Sequence, residues 1–387
     1  MFNHKESLRH LLRPEHYYSE DWHRREINQL FLPAWHLVAS KSQLPKDGSF
    51  LTQQLFGKEI LLRNCGGHFR AFENICSHRH CLLTKETQGH APTIRCQYHH
   101  WEYNNEGRIK NIPEAKCFRP WDRDNSRLRT FRLEDCGDLL FVSFNNDAPP
   151  LREWLSPFYD ETENSFSTPG WRHRFLWEFD CACNWKIPAE NTLESYHLIA
   201  LHPVTFGGKL SDETLTHHQM SGQHTALTFF APETSRIEQA QAKLSEWLGR
   251  APHLEHRHRH IHPSTVLVGT DTFNYALTYV PTSAQTVKIR VWMYSLQGQR
   301  RGPLRSLAAW TAWRLAWHRT TRVLNEDRTI YAQQQRGLQG SSHQGVIGCR
   351  EERIYYFQKY IIDTLNESQP EQPALEDKPV SRPEATL

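Results

Sequence analysis

The sequence predicts an α+β protein of two domains, a small all-β one and a larger one in which strands precede a long helix. Three observations carry this. A chain of 387 residues is long for a single core. Residues 37–145 break into short strand-like runs punctuated by Gly57 and Gly66-Gly67. Residues 212–300 alternate again, then give way to helical spacing over 303–338.

Taken in order, residues 14–36 read as an opening helix and lead-in. Ser19-Glu20-Asp21 is a capping run ahead of Trp22, Ile27, Leu30 and Phe31, which recur at helical spacing. Strands are expected at 51–53, 59–62, 69–72 and 138–144. Residues 145–150 are short, polar and end in two prolines, so they read as a linker. Further strands are expected from Trp171 to Cys183 and at 225–230, 265–268, 275–279 and 287–294. In the long helix, Leu304, Leu307, Trp310, Trp313, Leu315 and Trp317 read as a core stripe. The division expected is a helical lead-in over 1–36, a first domain over 37–148, a second over 149–365, and a Pro- and Glu-rich disordered tail over 366–387.

Composition excludes several functions. The formal charge of +3 and the scattered basic residues argue against nucleic acid or an acidic membrane as partner. No run approaches the length of a membrane span, and the N-terminus lacks the charged-then-apolar order of a signal peptide. Nine unevenly spaced cysteines argue for a reducing cytoplasm and against a disulfide scaffold.

Cys76-Ser77-His78 and Cys96-Gln97-Tyr98-His99 each supply one thiolate and one imidazole, with 17 residues between the two motifs. Structural zinc sites space the ligands of a pair by two to four residues, and the zinc finger puts both Cys before both His. One Cys and one His per motif suits instead a [2Fe–2S] centre with both Cys on one iron and both His on the other, which is Rieske ligation. Both motifs fall on loops of the small β scaffold.

A second constellation, E-x-x-H-x-x-x-x-H, ends the run from Asn184 to Pro203. On a helix Glu194 and His197 share a face, whereas His197 and His202 lie about 140° apart. Pro203 pushes His202 out of the α region, to where the helix ends. Two His need one carboxylate to complete the facial triad of non-haem iron(II), which leaves positions open for O₂. Asn325-Glu326-Asp327-Arg328 offers two donors, and spacing alone does not choose between Glu326 and Asp327.

With these motifs the chain resembles the α subunit of Rieske non-haem iron, or ring-hydroxylating, oxygenases over residues 15–360. The resemblance implies a larger domain of helix-grip type, its antiparallel sheet wrapped around helices. It places one [2Fe–2S] cluster on Cys76, His78, Cys96 and His99 and one Fe²⁺ on His197, His202 and Asp327. It makes Glu194 the bridging acid that relays electrons from a cluster histidine of a neighbouring subunit. It implies O₂ and a small organic substrate, a separate NAD(P)H-dependent reductase with or without a ferredoxin, and a homotrimer. The E-N-x-x-E-x-Y-H form is most similar to the choline monooxygenase and carnitine–betaine branch, so a quaternary amine competes with an arene as substrate. No G-x-G-x-x-G opens a helix, so no nucleotide domain is expected. A Rieske electron carrier without catalytic iron is the alternative of a different class, and residues 184–203 speak against it.

The chain departs from the family where Gly is usual and His80 and His100 stand here, and where Pro is frequent and Gln97 stands. Respiratory Rieske proteins pair a Cys at the Cys81 position with one at the position of Tyr98, which cannot form that disulfide. The run His253, His256, His258, His260 and His262 would place its last four members on one strand face, read here as a solvated or pocket-edge strand.

Overall fold

The computed structural model describes residues 2–121, 126–167, 169–205, 213–230, 236–298 and 302–366. Two antiparallel sheets of seven strands dominate it. The first contains β1 (Trp35–Ser40), β2 (Ser49–Leu55), β3 (Lys58–Cys65), β4 (His68–Glu73), β5 (Gln88–His90), β6 (Thr130–Cys136) and β7 (Leu139–Ser143), in the order β1-β7-β6-β4-β3-β2-β5. A three-stranded ribbon of Ile94–Arg95, Glu102–Tyr103 and Ile109–Asn111 projects beside it. The second sheet contains β8 (Trp171–Cys181), β9 (Thr216–Ser221), β10 (His224–Phe230), β11 (Glu255–Ile261), β12 (Thr265–Gly269), β13 (Phe273–Ser283) and β14 (Thr286–Leu296). Its order is β8-β14-β13-β12-β11-β10-β9. The α+β reading therefore holds, with every expected strand present.

The opening segment is not one helix. A short turn of 3₁₀ helix, Pro14–Tyr17, precedes α1 (Glu20–Arg25), which widens into a π-helical stretch over Glu26–Phe31. Ser19 caps α1 as its sequence suggests, its hydroxyl accepting from Trp22 N at 3.2 Å. The widened turn aims Glu26 inward. Its carboxylate meets Lys186 Nζ at 2.6 Å and accepts from Trp22 Nε1 and Trp185 Nε1, each at 2.8 Å. Both charges of this pair are fully buried, and three N–H donors converge on the one carboxylate. The pair fastens the lead-in to α2 (Lys186–Thr192), so the Asn-Trp-Lys run serves as scaffold. Asn184 extends the anchorage: its N–H donates to Gln335 Oε1 at 2.8 Å, and Gln335 in turn donates to the Tyr17 carbonyl at 3.0 Å.

Two further helices complete the site's frame, α4 (Pro303–Gly340) after the short α3 (Leu198–Leu201), and α5 (Glu352–Thr364). Tyr17, Trp22, Leu30 and Phe31 share one core with Trp185, Val268, Tyr279, Tyr331 and Phe357.

The core stripe expected on α4 is corrected. Leu304, Leu307, Trp310 and Leu315 are 74%, 59%, 49% and 67% exposed. At about 100° per residue, Leu304 and Leu315 point away from Trp313 and Trp317, and one sheet covers one face. Trp317 and Trp313 take that face, their rings 4.2 and 6.1 Å from Phe175. Residues 367–387 of the expected tail lie outside the described residues. The helix α5 and a helix at Arg236–Trp247 were not foreseen.

Candidate metal centres

The first centre rests on two loops with the same backbone fold. In one, Cys76 N donates to the Cys81 carbonyl at 2.8 Å and His80 N to the Cys76 carbonyl at 3.1 Å. In the other, Cys96 N donates to the Trp101 carbonyl at 2.9 Å and His100 N to the Cys96 carbonyl at 3.1 Å. Each loop closes through a left-handed residue, His80 and His100, both at φ 58°. That conformation is natural to glycine, which explains the family's preference there and leaves the loop shape intact despite the imidazoles.

The loops present a polarised donor set. Cys76 and Cys96 are buried, whereas His78 and His99 are half-buried, their rings 4.8 Å apart. The His78 ring stacks on Trp101 at 4.6 Å. Tyr103 hydroxyl lies 3.1 Å from Cys76 Sγ and also accepts from Ser77 N at 3.1 Å. Burial lifts the Cys76 thiol, while the Tyr103 contact favours its thiolate. Burial, then His99, lowers His78 and favours the neutral imidazole that ligates metals. Two inner sulfurs and two outer nitrogens fit a [2Fe–2S] group held by Rieske ligation. The cysteines are all free thiols, Cys81 included.

The second centre is assembled from distant segments. The chain does not run from Glu194 to His202 as one helix: α2 stops at Thr192, and His197 and His202 cap the two ends of the short α3. His202, at φ −120° and ψ 45°, sits at the helix end, as Pro203 requires. Asp327 comes from α4, on a buried row with Ala316, Thr320, Leu324, Tyr331 and Gln335. Membership of that buried row distinguishes Asp327 from Glu326, which is only half-buried.

Donor atoms of His197, His202 and Asp327 all lie within 4.8 Å of one another. Asp327 Oδ1 is 2.9 Å from His202 Nε2 and 3.7 Å from His197 Nε2. Each imidazole is held from behind by a glutamate. Glu326 lies 2.7 Å from His202 Nδ1, and Glu194 contacts His197 Nδ1. A carboxylate on Nδ1 fixes the proton there and leaves Nε2 free to ligate. Glu326 also pairs with Arg322 at 2.9 Å. Burial opposes charge on His202, but Asp327 and Glu326 outweigh it and raise its pKa. Two imidazole nitrogens and one carboxylate oxygen in a buried cleft fit a divalent iron. Tyr275 and Tyr331 stay neutral beside it, held protonated by burial and then by the Asp327 charge.

Glu326, which spacing left open beside Asp327 as a candidate donor, lies behind His202 and outside the triad. Its back-support role needs the folded packing of α4 against His202. The histidine run is also corrected in part. His256, His258 and His260 share one face of β11, but His258, His260 and His262 are buried and not solvated.

A family model for the catalytic domain of ring-hydroxylating α subunits matches residues 169–367, and one for the Rieske [2Fe–2S] domain matches residues 34–132. The large oxygenase component of salicylate 5-hydroxylase from Ralstonia sp. is 28% identical over 213 residues, covering 49% of each chain. The carnitine monooxygenase oxygenase subunit of Acinetobacter pittii is 26% identical over 191 residues, 48% of this chain and 51% of that one. The chain spans about half the length of the curated relatives it matches. A solved quaternary ammonium Rieske monooxygenase in complex with L-carnitine shares the fold, with TM-score 0.74, 19% identity and coverage of 92% of this chain and 95% of that one. No helix among the described residues is long and apolar enough to cross a membrane.

Proposed function

Because this chain belongs to the family of ring-hydroxylating α subunits and carries a Rieske [2Fe–2S] domain, we propose that it is the terminal component of an O₂-dependent oxygenase. It hydroxylates or oxidatively demethylates a small organic substrate with electrons from NAD(P)H, delivered by a separate reductase with or without a ferredoxin. The observation that carries this reading is the meeting of His197, His202 and Asp327, remote in sequence from the Cys/His loops. An electron carrier has no use for such a second site.

In this reading, Cys76, His78, Cys96 and His99 hold the cluster and His197, His202 and Asp327 hold the iron. When bound, these groups supply one-electron storage and O₂ activation. The chain's own work is positional. Glu194 and Glu326 keep the protons of His197 and His202 on Nδ1. Tyr103 supports Cys76, and Tyr275 and Tyr331 help to dry the cleft. Residues 37–148 form the cluster domain, and 149–365 form the catalytic domain with 1–36 packed on it.

Glu194 is further assigned as the bridging acid of a homotrimer, facing His99 of the partner subunit. Exposed apolar side chains support this. Tyr98 beside His99 is 54% exposed, and Tyr196 and Val204 around the triad are 53% and 71% exposed. Glu194→Gln should leave both metals bound and cut substrate-coupled turnover; normal turnover would remove Glu194 from the relay.

Quaternary amines and arenes are both substrates of this family's named members, and a cytoplasmic setting suits the free thiols. O₂ uptake and product mass spectrometry over a panel of betaines and arenes, with a surrogate reductase, test the reading. Substrate-dependent uptake with an oxygenated or demethylated product is expected. No uptake across the panel, with both metals loaded, would contradict it.

A further inference from the structure

Where α5 packs on the second sheet, a buried polar group is left unused by the chemistry above. Arg353, in the first turn of α5, has no exposed surface. Its Nε donates to Thr225 Oγ1 at 3.2 Å, Nη1 to the Leu193 carbonyl at 3.4 Å and Nη2 to His258 Nδ1 at 3.1 Å. None of these partners is an anion. Burial, then Arg353 itself, holds His258 well below its ordinary pKa, so that imidazole is neutral. The adjacent Glu352 is engaged elsewhere: it accepts from Asn3 N at 2.9 Å and His4 N at 3.0 Å, and lies 2.8 Å from His218 Nδ1. No carboxylate among the described residues hydrogen-bonds Arg353. Burial, then Arg259, pulls its pKa down to about 9, and the neighbouring Glu352 charge offsets them only in part.

Next to Arg353, His260 and His262 are buried with rings 4.7 Å apart. All four of their ring nitrogens lack a partner among the described residues. Buried polar atoms are rarely left so, and a buried cation even less often. Water would satisfy the imidazoles but brings no charge. A carboxylate brings the charge and accepts from the imidazole N–H groups, and a guanidinium is its best-matched partner.

We propose that Arg353, His258, His260 and His262 form the anion-binding end of the substrate site, and that the substrate is a small organic acid or betaine whose carboxylate lies against them. This rests on the oxygenase reading above and narrows its substrate. The register supports it. His258 pairs with Val268, and Val268 with Tyr275, whose hydroxyl feels the Asp327 charge. Two strand spacings, about 10 Å, separate His258 from Tyr275. His258 and Tyr275 thus share one sheet face, so an acid held at Arg353 lies on the face that carries the Tyr275 neighbour of Asp327. The Leu193 contact places the same guanidinium one residue from Glu194.

Calorimetric titration of the oxidised holoprotein, without turnover, tests this with two matched pairs, benzoate against benzamide and glycine betaine against choline. In at least one pair the acid should bind about tenfold more tightly than its partner. Arg353→Gln and His260→Phe should each erase that preference. The second variant removes only unpartnered nitrogens, and a melting curve of each checks its fold. Equal binding within both pairs, or a preference that survives both variants, would overturn the proposal. Acid-selective binding without any substrate-dependent O₂ uptake would sustain this site while contradicting the oxygenase reading. Uptake without acid preference would contradict this site alone.

Discussion

The two centres are held by opposite means. The loops proposed to hold the cluster take their four donors from 24 consecutive residues, Cys76 to His99, and shape them with backbone hydrogen bonds. The triad proposed to hold iron takes its donors from segments 125 residues apart and shapes them with side-chain carboxylates behind each histidine. A locally shaped site survives damage elsewhere in the fold. A site assembled by tertiary packing depends on whatever positions α2, α3 and α4. Substitutions should therefore separate the two centres, and they can be ranked by how far they do so.

The largest effect is expected from Asp327→Ala. It should abolish substrate-dependent O₂ uptake and empty the triad, while the visible absorption of the cluster stays as in the parent. Loss of both signals together would mean that the centres are not independent. Next, Lys186→Met leaves Glu26 as an uncompensated buried charge, at a cost of about 3–5 kcal/mol. Denaturant unfolding should register that loss, with the triad side failing before the loops.

A smaller effect attaches to Glu326→Ala, which removes the support behind His202 Nδ1. Iron affinity at the triad should fall about 10- to 100-fold, as outer-shell losses do. An unchanged dissociation constant would show that the carboxylate does not orient the imidazole. On the cluster side, Tyr103→Phe deletes the hydroxyl 3.1 Å from Cys76 Sγ. Hydrogen bonds to ligating sulfur stabilise the reduced cluster, so the midpoint potential should drop. Smallest is His80→Gly or His100→Gly, which relieves a left-handed side chain and should stabilise the loop by ~1 kcal/mol in thermal unfolding.

The same contrast explains what was legible in the sequence. Cys76, His78, Cys96 and His99 could be proposed as a ligand set from sequence because donor spacing and loop shape are local properties. His197 and His202 were legible as a pair, and Pro203 placed the helix end. The single helix assumed from Glu194 onward was wrong, because the turn after Thr192 is set by packing and not by period. Glu326 and Asp327 were inseparable by spacing. They separate once α4 shows which of its faces is buried. The exposed leucines of α4 misled for the related reason that helical period finds faces but not what covers them. Arg353 carries no sequence signal at all, since its meaning lies in the absence, among the described residues, of a carboxylate that hydrogen-bonds it.

The central claim is that one chain carries a cluster and a separate single-metal site. Counting iron and acid-labile sulfide per chain in the purified, reconstituted protein tests it most directly. About three irons to two sulfides are predicted. About two irons to two sulfides, with iron saturating and the cluster intact, would leave an electron carrier and contradict the account.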